Sequence, residues 1–137
     1  MLILIDNNKI LMKKIIETPN APAPIGPYSQ AVLYDDTLYT SGQIAIDPTT
    51  GNLVSGDIAK ETEQVMKNIN TVLREAKMNF SHVLKTTIFI KDMNDFQKIN
   101  EVYGSFFDEA TAPARETVEV ARLPKDVNVE ISVLARN

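Results

Sequence analysis

The chain has 137 residues, 44% of them hydrophobic, with 5 glycines, 7 prolines and a formal charge of −4, which fits one ordinary globular domain with its own core. That charge gives no general attraction to nucleic acid or to an anionic membrane surface. The absence of cysteine excludes disulfides, thiolate nucleophiles, cysteine-based zinc sites and iron–sulfur clusters.

The apolar opening at residues 1–5 is too short to span a bilayer. It lacks the basic stretch of a secretory signal and the arginines of a mitochondrial presequence, so the expectation is a soluble, cytoplasmic protein. Residues 9–16 read as a strand ended by Pro19. Pro19, Pro22, Pro24 and Pro27 each bias the preceding residue away from helix, which predicts an extended loop that delivers Tyr28. A lone aromatic there ordinarily packs against the core. Apolar runs at 31–34 and 38–41 around Asp35-Asp36-Thr37 predict a hairpin. Gly42, in Ser41-Gly42-Gln43, marks a bulge or a place where another group approaches the backbone, unless it is simply a flexible point.

Asp57 is a natural N-cap, and Ile58, Thr62, Val65, Met66, Ile69, Val72, Leu73 and Ala76 recur at helical spacing for about five turns. Residues 83–91 alternate as a strand, with Leu84, Thr86, Ile88 and Ile90 on one face and Lys85, Thr87, Phe89 and Lys91 on the other. A second helix follows, capped by Asp92 or Asn94, with Phe96, Ile99, Val102, Tyr103, Phe106 and Phe107 as its apolar stripe. Residues 117–121 and 127–133 alternate again and read as two strands of a hairpin turning at Pro124, with Asp126 bonding backbone groups in the turn. Arg115 stands where the first of these strands begins, and Glu130 lies off the core face. The sum is an α+β domain without repeats. Phe89, Leu134 and a tyrosine leave the outer sheet face more apolar than a solvated face needs, which points to an oligomer.

Three stretches resemble the reactive intermediate (enamine/imine) deaminases of the Rid/YjgF type. They are residues 20–31, Ser41-Gly42-Gln43-Ile44, and residues 118–126, reading Val-Glu-Val-Ala-Arg-Leu-Pro-Lys-Asp. The likeness runs from Met12 to the end, leaving residues 1–11 as a dispensable extension of a single domain at 12–137. It implies a chorismate-mutase-like (bacillus type) subunit, a mixed sheet with two helices on one face, assembled as a homotrimer around a central β-barrel with ligand clefts between subunits. It also implies cofactor-independent, metal-free hydrolysis of 2-aminoacrylate, 2-iminopropanoate or 2-iminobutanoate to the 2-oxo acid and ammonia.

By position, the resemblance makes Arg115 the group that grips the substrate carboxylate and Glu130 the carboxylate beside the attacking water. Tyr28, Ser41 and Gly42 line the cleft, and the backbone at Thr117 is a further contact. A guanidinium suits the first role because it forms paired, charge-assisted hydrogen bonds. Without the likeness, Arg115 reads as a surface ion pair with Glu116 or Glu119, and Glu130 as a solvent-facing strand residue. Two departures bear on substrate preference. Glu116-Thr117 follows the arginine where Ser-Cys is usual, which puts an extra negative charge beside it, and Ser132 stands where a second glutamate is frequent. The same family has been described as endoribonucleases that inhibit translation, but a single histidine, His82, and no basic stripe with interleaved aromatics argue against RNA cleavage. A trimer that only binds 2-oxo acids shares the same residues.

Overall fold

Two periodicities set the architecture: a period of two that buries one face of each strand, and a period of 3.6 that gives each helix one apolar stripe. The computed structural model describes residues 2–5 and 9–137, with only the backbone described before Met12. The elements are β1 (Leu2–Ile5), β2 (Lys9–Ile16), β3 (Ala31–Tyr34), β4 (Thr37–Thr40), α1 (Ile58–Glu75), β5 (Val83–Ile90), α2 (Phe96–Gly104), β6 (Ala114–Glu119) and β7 (Val129–Arg136). The strands form one seven-stranded sheet in the order β1-β2-β3-β4-β7-β5-β6. All neighbours are antiparallel except β5 and β6, so the sheet is mixed.

The Asp57 carboxylate accepts from the backbone N–H groups of Ala59 and Lys60, starting α1 where the sequence places its cap. Val65, Met66, Ile69, Val72 and Leu73 from α1, with Ile99 and Tyr103 from α2, are buried against Leu38, Ile88, Ile90, Val129, Ile131 and Val133 of the sheet. Both helices therefore cover one sheet face. On the other, Ile15, Val32, Tyr39 and Leu134 stand in register across four strands, with Ile15 and Tyr39 about half exposed. No helix among the described residues is long and apolar enough to cross a membrane.

Three expectations are corrected. Leu84 is exposed rather than on the core face, because a bulge between Val83 and Lys85 turns Val83 inward instead. β6 and β7 are not a hairpin: β5 lies between them, pairing parallel with β6 and antiparallel with β7, and the connecting loop crosses the end of β5. In that loop Lys125 and Asp126 take left-handed φ of 55° and 56°. The Asp126 carboxylate accepts from Arg122 Nε at 2.7 Å and Nη2 at 3.3 Å rather than from backbone groups.

β3 pairs only with Lys13 to Ile16 of β2, while β1 pairs with residues 9–12. We propose on this basis that residues 1–11 are dispensable for folding. A chain starting at Met12 should melt cooperatively within about 3 °C of the full chain. Loss of the cooperative transition in that shortened chain would reject the proposal.

Candidate functional site

The proline loop is held by one buried amide. Gln30, 2% exposed, accepts the Thr18 N–H at 2.7 Å and donates to the carbonyls of Thr18, Ala21 and Pro22 at 2.9–3.2 Å. These bonds give the loop's backbone the partners that proline-rich chain cannot supply to itself. Tyr28, about half exposed, projects from it, its hydroxyl 3.4 Å from the Ile25 N–H. Ser41 then fastens this loop to the sheet, its N–H donating to Gln30 O at 2.9 Å and its hydroxyl to Ser29 O at 2.6 Å.

Beyond Thr40 the chain bulges. Tyr39 pairs with Leu134 and Gln43 bridges Ile131, so four steps on one strand meet three on the other. Gly42 sits in the bulge, where Glu130 of β7 packs against its Cα. A Cβ there would lie 2.7 Å from Glu130 Cδ and 2.9 Å from its Cγ, with Oε1 closer still. Gly42 thus marks both a bulge and a close approach, rather than a merely flexible point.

Tyr28, Ser41, Gly42 and Glu130 converge on one pocket of about 340 Å³, whose remaining walls include Pro22, Ile25, Ile44 and Lys125. From α1, Asn68 donates to Ile44 O at 3.1 Å and Ile46 O at 2.9 Å, fixing one wall. Buried Glu61 accepts the Asn128 N–H at 2.8 Å and its side-chain amide at 2.9 Å, fixing the start of β7 two residues before Glu130. Glu130 itself is half-buried, no described residue hydrogen-bonds its carboxylate, and burial raises its pKa above the ordinary 4.5.

Arg115 and Thr117 are elsewhere. Register pairs Arg115 with Thr86 and Thr117 with Ile88, both buried beneath the helices, whereas Glu130 pairs with Phe89 on the open face. Arg115 therefore lies on the helix side of edge strand β6, opposite the face of Glu130. It lines a second cleft of about 450 Å³ with Asn100, Tyr103, Phe107, Glu109 and Pro113. Glu116 points to the other face, where Lys85 pairs with it at 3.2 Å. Glu119 accepts the Met93 N–H at 2.9 Å. Neither carboxylate neutralises the arginine, so the extra charge expected beside it is directed away. The Thr117 hydroxyl is buried without a partner among the described residues.

Sequence reasoning passed over Gln30, Glu61 and Asn100. The signal for the first two was a polar side chain at a position due to be buried, beside proline-rich chain for Gln30 and on the apolar flank of α1 for Glu61. For Asn100 there was none.

A mixed sheet backed by two helices, with a carboxylate pocket on the loop side, defines a small α+β ligand-binding or catalytic subunit. The family model described as Endoribonuclease L-PSP matches residues 18–137, and the chain belongs to that family. It is 54% identical over 123 residues to a RutC family protein of Synechocystis, covering 89% of this chain and 95% of that one. It is 47% identical over 125 residues to human 2-iminobutanoate/2-iminopropanoate deaminase, covering 91% of this chain and 90% of the relative. The crystal structure of E. coli TdcF with bound serine superposes with a TM-score of 0.86 at 45% identity, covering 91% of this chain and 99% of that one.

The Gly42 contact is testable as a coupling. Gly42→Ala should cost about 1–3 kcal/mol in urea denaturation, because the new methyl must displace Glu130. In a Glu130→Ala background the same change should cost close to nothing. Equal costs in both backgrounds would show that Gly42 answers to something other than Glu130.

Proposed function

We propose that the chain is a cofactor-independent hydrolytic deaminase of enamine and imine derivatives of short 2-oxo acids. It works as a homotrimer in which Arg115 of one copy completes the Glu130 pocket of the next. The observation that carries this reading is Glu130 itself, a half-buried carboxylate that lines a pocket with no hydrogen-bond partner among the described residues. The name of the human relative and the serine bound in TdcF support a small, carboxylate-bearing nitrogen compound as ligand. The apolar row on the open face supports burial against further copies around a central barrel.

In this reading the guanidinium of Arg115 pairs with the substrate carboxylate and orients C2 of the protonated imine over Glu130. Glu130 takes a proton from water as the oxygen attacks C2, giving a tetrahedral amino alcohol. Glu130 returns that proton to the nitrogen, the C–N bond breaks as the hydroxyl proton passes back to Glu130 and on to the departing ammonia, and ammonium and the 2-oxo acid leave. Tyr28, Ser41 and Gly42 wall the pocket, and the Thr117 backbone on the outer edge strand offers a further polar contact.

The ribonuclease reading has less behind it. His82, the only histidine in the sequence, has its Nδ1 occupied by the Asn79 N–H in the turn before β5.

Generated in situ, 2-iminobutanoate should be converted to 2-oxobutanoate faster with the protein than without. Arg115→Ala and Glu130→Gln should each lose at least about a hundredfold. If the site is shared, co-expressing the two inactive variants should restore activity in about a quarter of the sites, those pairing an intact Arg115 with an intact Glu130 across a contact. Binding of 2-oxobutanoate without acceleration would favour a sensor. RNA cleavage that survives Arg115→Ala would favour the nuclease.

The pH dependence follows from the raised pKa of Glu130. Its working form is the carboxylate, so kcat/KM should fall as pH drops through a value above 4.5. A carboxyl whose folded pKa is raised adds stability only below its unfolded pKa and loses it as pH rises through the folded one. The ionised group is therefore a cost at pH 7. Glu130→Gln should melt slightly higher than wild type at pH 7 while removing the acid limb, and a lower melting point would contradict this account.

A further inference from the structure

Arg115 is held by uncharged groups. Its Nη1 donates to Asn100 Oδ1 at 2.5 Å, and its guanidinium carbon lies 5.1 Å from the centroid of the Tyr103 ring and 5.7 Å from that of Phe96. The shelf is rigid, because Tyr103 is 5% exposed and its hydroxyl donates to Thr86 Oγ1 at 3.1 Å. Among the described residues Arg115 has no ion pair. The two glutamates nearest along β6 are engaged by Lys85 and by the Met93 N–H. Glu109 lines the same cleft without a hydrogen bond to the arginine.

We propose that Asn100 is the positioning residue for Arg115, and that its neutrality is what keeps the guanidinium available to an anionic substrate. The inference rests on the reading of Arg115 as the carboxylate anchor. With Nη1 tied to the amide oxygen, the parallel N–H groups of Nε and Nη2 form the free edge, the edge that takes a carboxylate side-on. Arg122 uses that edge on Asp126 in this same chain. With its carbon over both rings, the guanidinium is already restricted, so less side-chain freedom is lost when substrate binds. An acidic side chain in place of Asn100 would hold the arginine equally well but would neutralise it, competing with the substrate for the same charge.

The experiment compares wild type, Asn100→Ala, Asn100→Gln and Asn100→Asp for KM and kcat on 2-iminobutanoate generated in situ, and for calorimetric Kd of 2-oxobutanoate. Asn100→Asp should raise KM and Kd by at least about tenfold with kcat within about twofold of wild type. Asn100→Ala should raise them by about three- to fivefold, and Asn100→Gln, which keeps a neutral acceptor, should recover part of that loss. Arg115→Ala is run alongside. If Arg115→Ala retains wild-type activity, the anchor reading fails first. If Arg115→Ala is inactive while Asn100→Asp and Asn100→Ala both keep wild-type KM and Kd, or lose only kcat, the positioning role is wrong. Asn100 is partly buried, and the Ala variant decides the question by itself if the Asp variant does not fold.

Discussion

The site depends on a carboxylate seated where one hydrogen fits and a methyl does not. Glu130 occupies the space beside Gly42 because the sheet bulges there, and the bulge persists because Gln43 re-pairs with Ile131 by N–H···O bonds of 2.8 and 3.1 Å. The Thr40 hydroxyl spans the gap, accepting from the Val133 N–H at 2.9 Å. Backbone pairing thus continues on both sides of the irregularity, and the extra residue is confined to Ser41 and Gly42. Those two residues are also where the proline loop is fastened. One local departure from regular pairing therefore aims a carboxylate, anchors a loop and opens a pocket.

How far the sequence reveals this differs from element to element for a physical reason. Asp57 capping α1 and the turn between β3 and β4 are local events, written in adjacent residues and recoverable from them. Leu84 is misread because alternation counts residues without knowing where a partner strand inserts a bulge. The pair β6 and β7 is misread because β5, some 30 residues earlier in the chain, slides between them through a parallel pairing that leaves no local mark. Arg115 and Glu130 are legible as residues, since a lone arginine opening an edge strand and a glutamate off the core face stand out in pattern and in family likeness. That they lie on opposite faces was not legible, because it follows from strand order.

That opposition changes what one chain can be. The subunit holds its unpaired carboxylate on one face of its sheet and the arginine on the other, so under the proposed reading it has two half-sites. Each is complete in its own support and neither contains the other's chemistry. Among the described residues the cation is left without an ion pair, in part because Glu116 follows it to the opposite face and meets Lys85 there. Alternation along β6 thereby sorts the charges of Arg115-Glu116 into different environments, though they are consecutive in sequence.

Glu61 and Glu130, which act on the same strand, show how burial acquires opposite meanings. Glu61 is 2% exposed, yet both of its oxygens accept from Asn128, so its desolvation is compensated and its work is to pin β7 to α1. Glu130 is less buried but has no such partner among the described residues, so its charged form bears an uncompensated cost and its affinity for a proton rises. A structural carboxylate is surrounded by donors that belong to the fold. Glu130 is denied them, which is what the proposed role of general base toward water requires. The first arrangement makes the second tolerable: with Glu61 holding the strand's entry, the fold can carry an unsatisfied group two residues further on without that strand relaxing to relieve it.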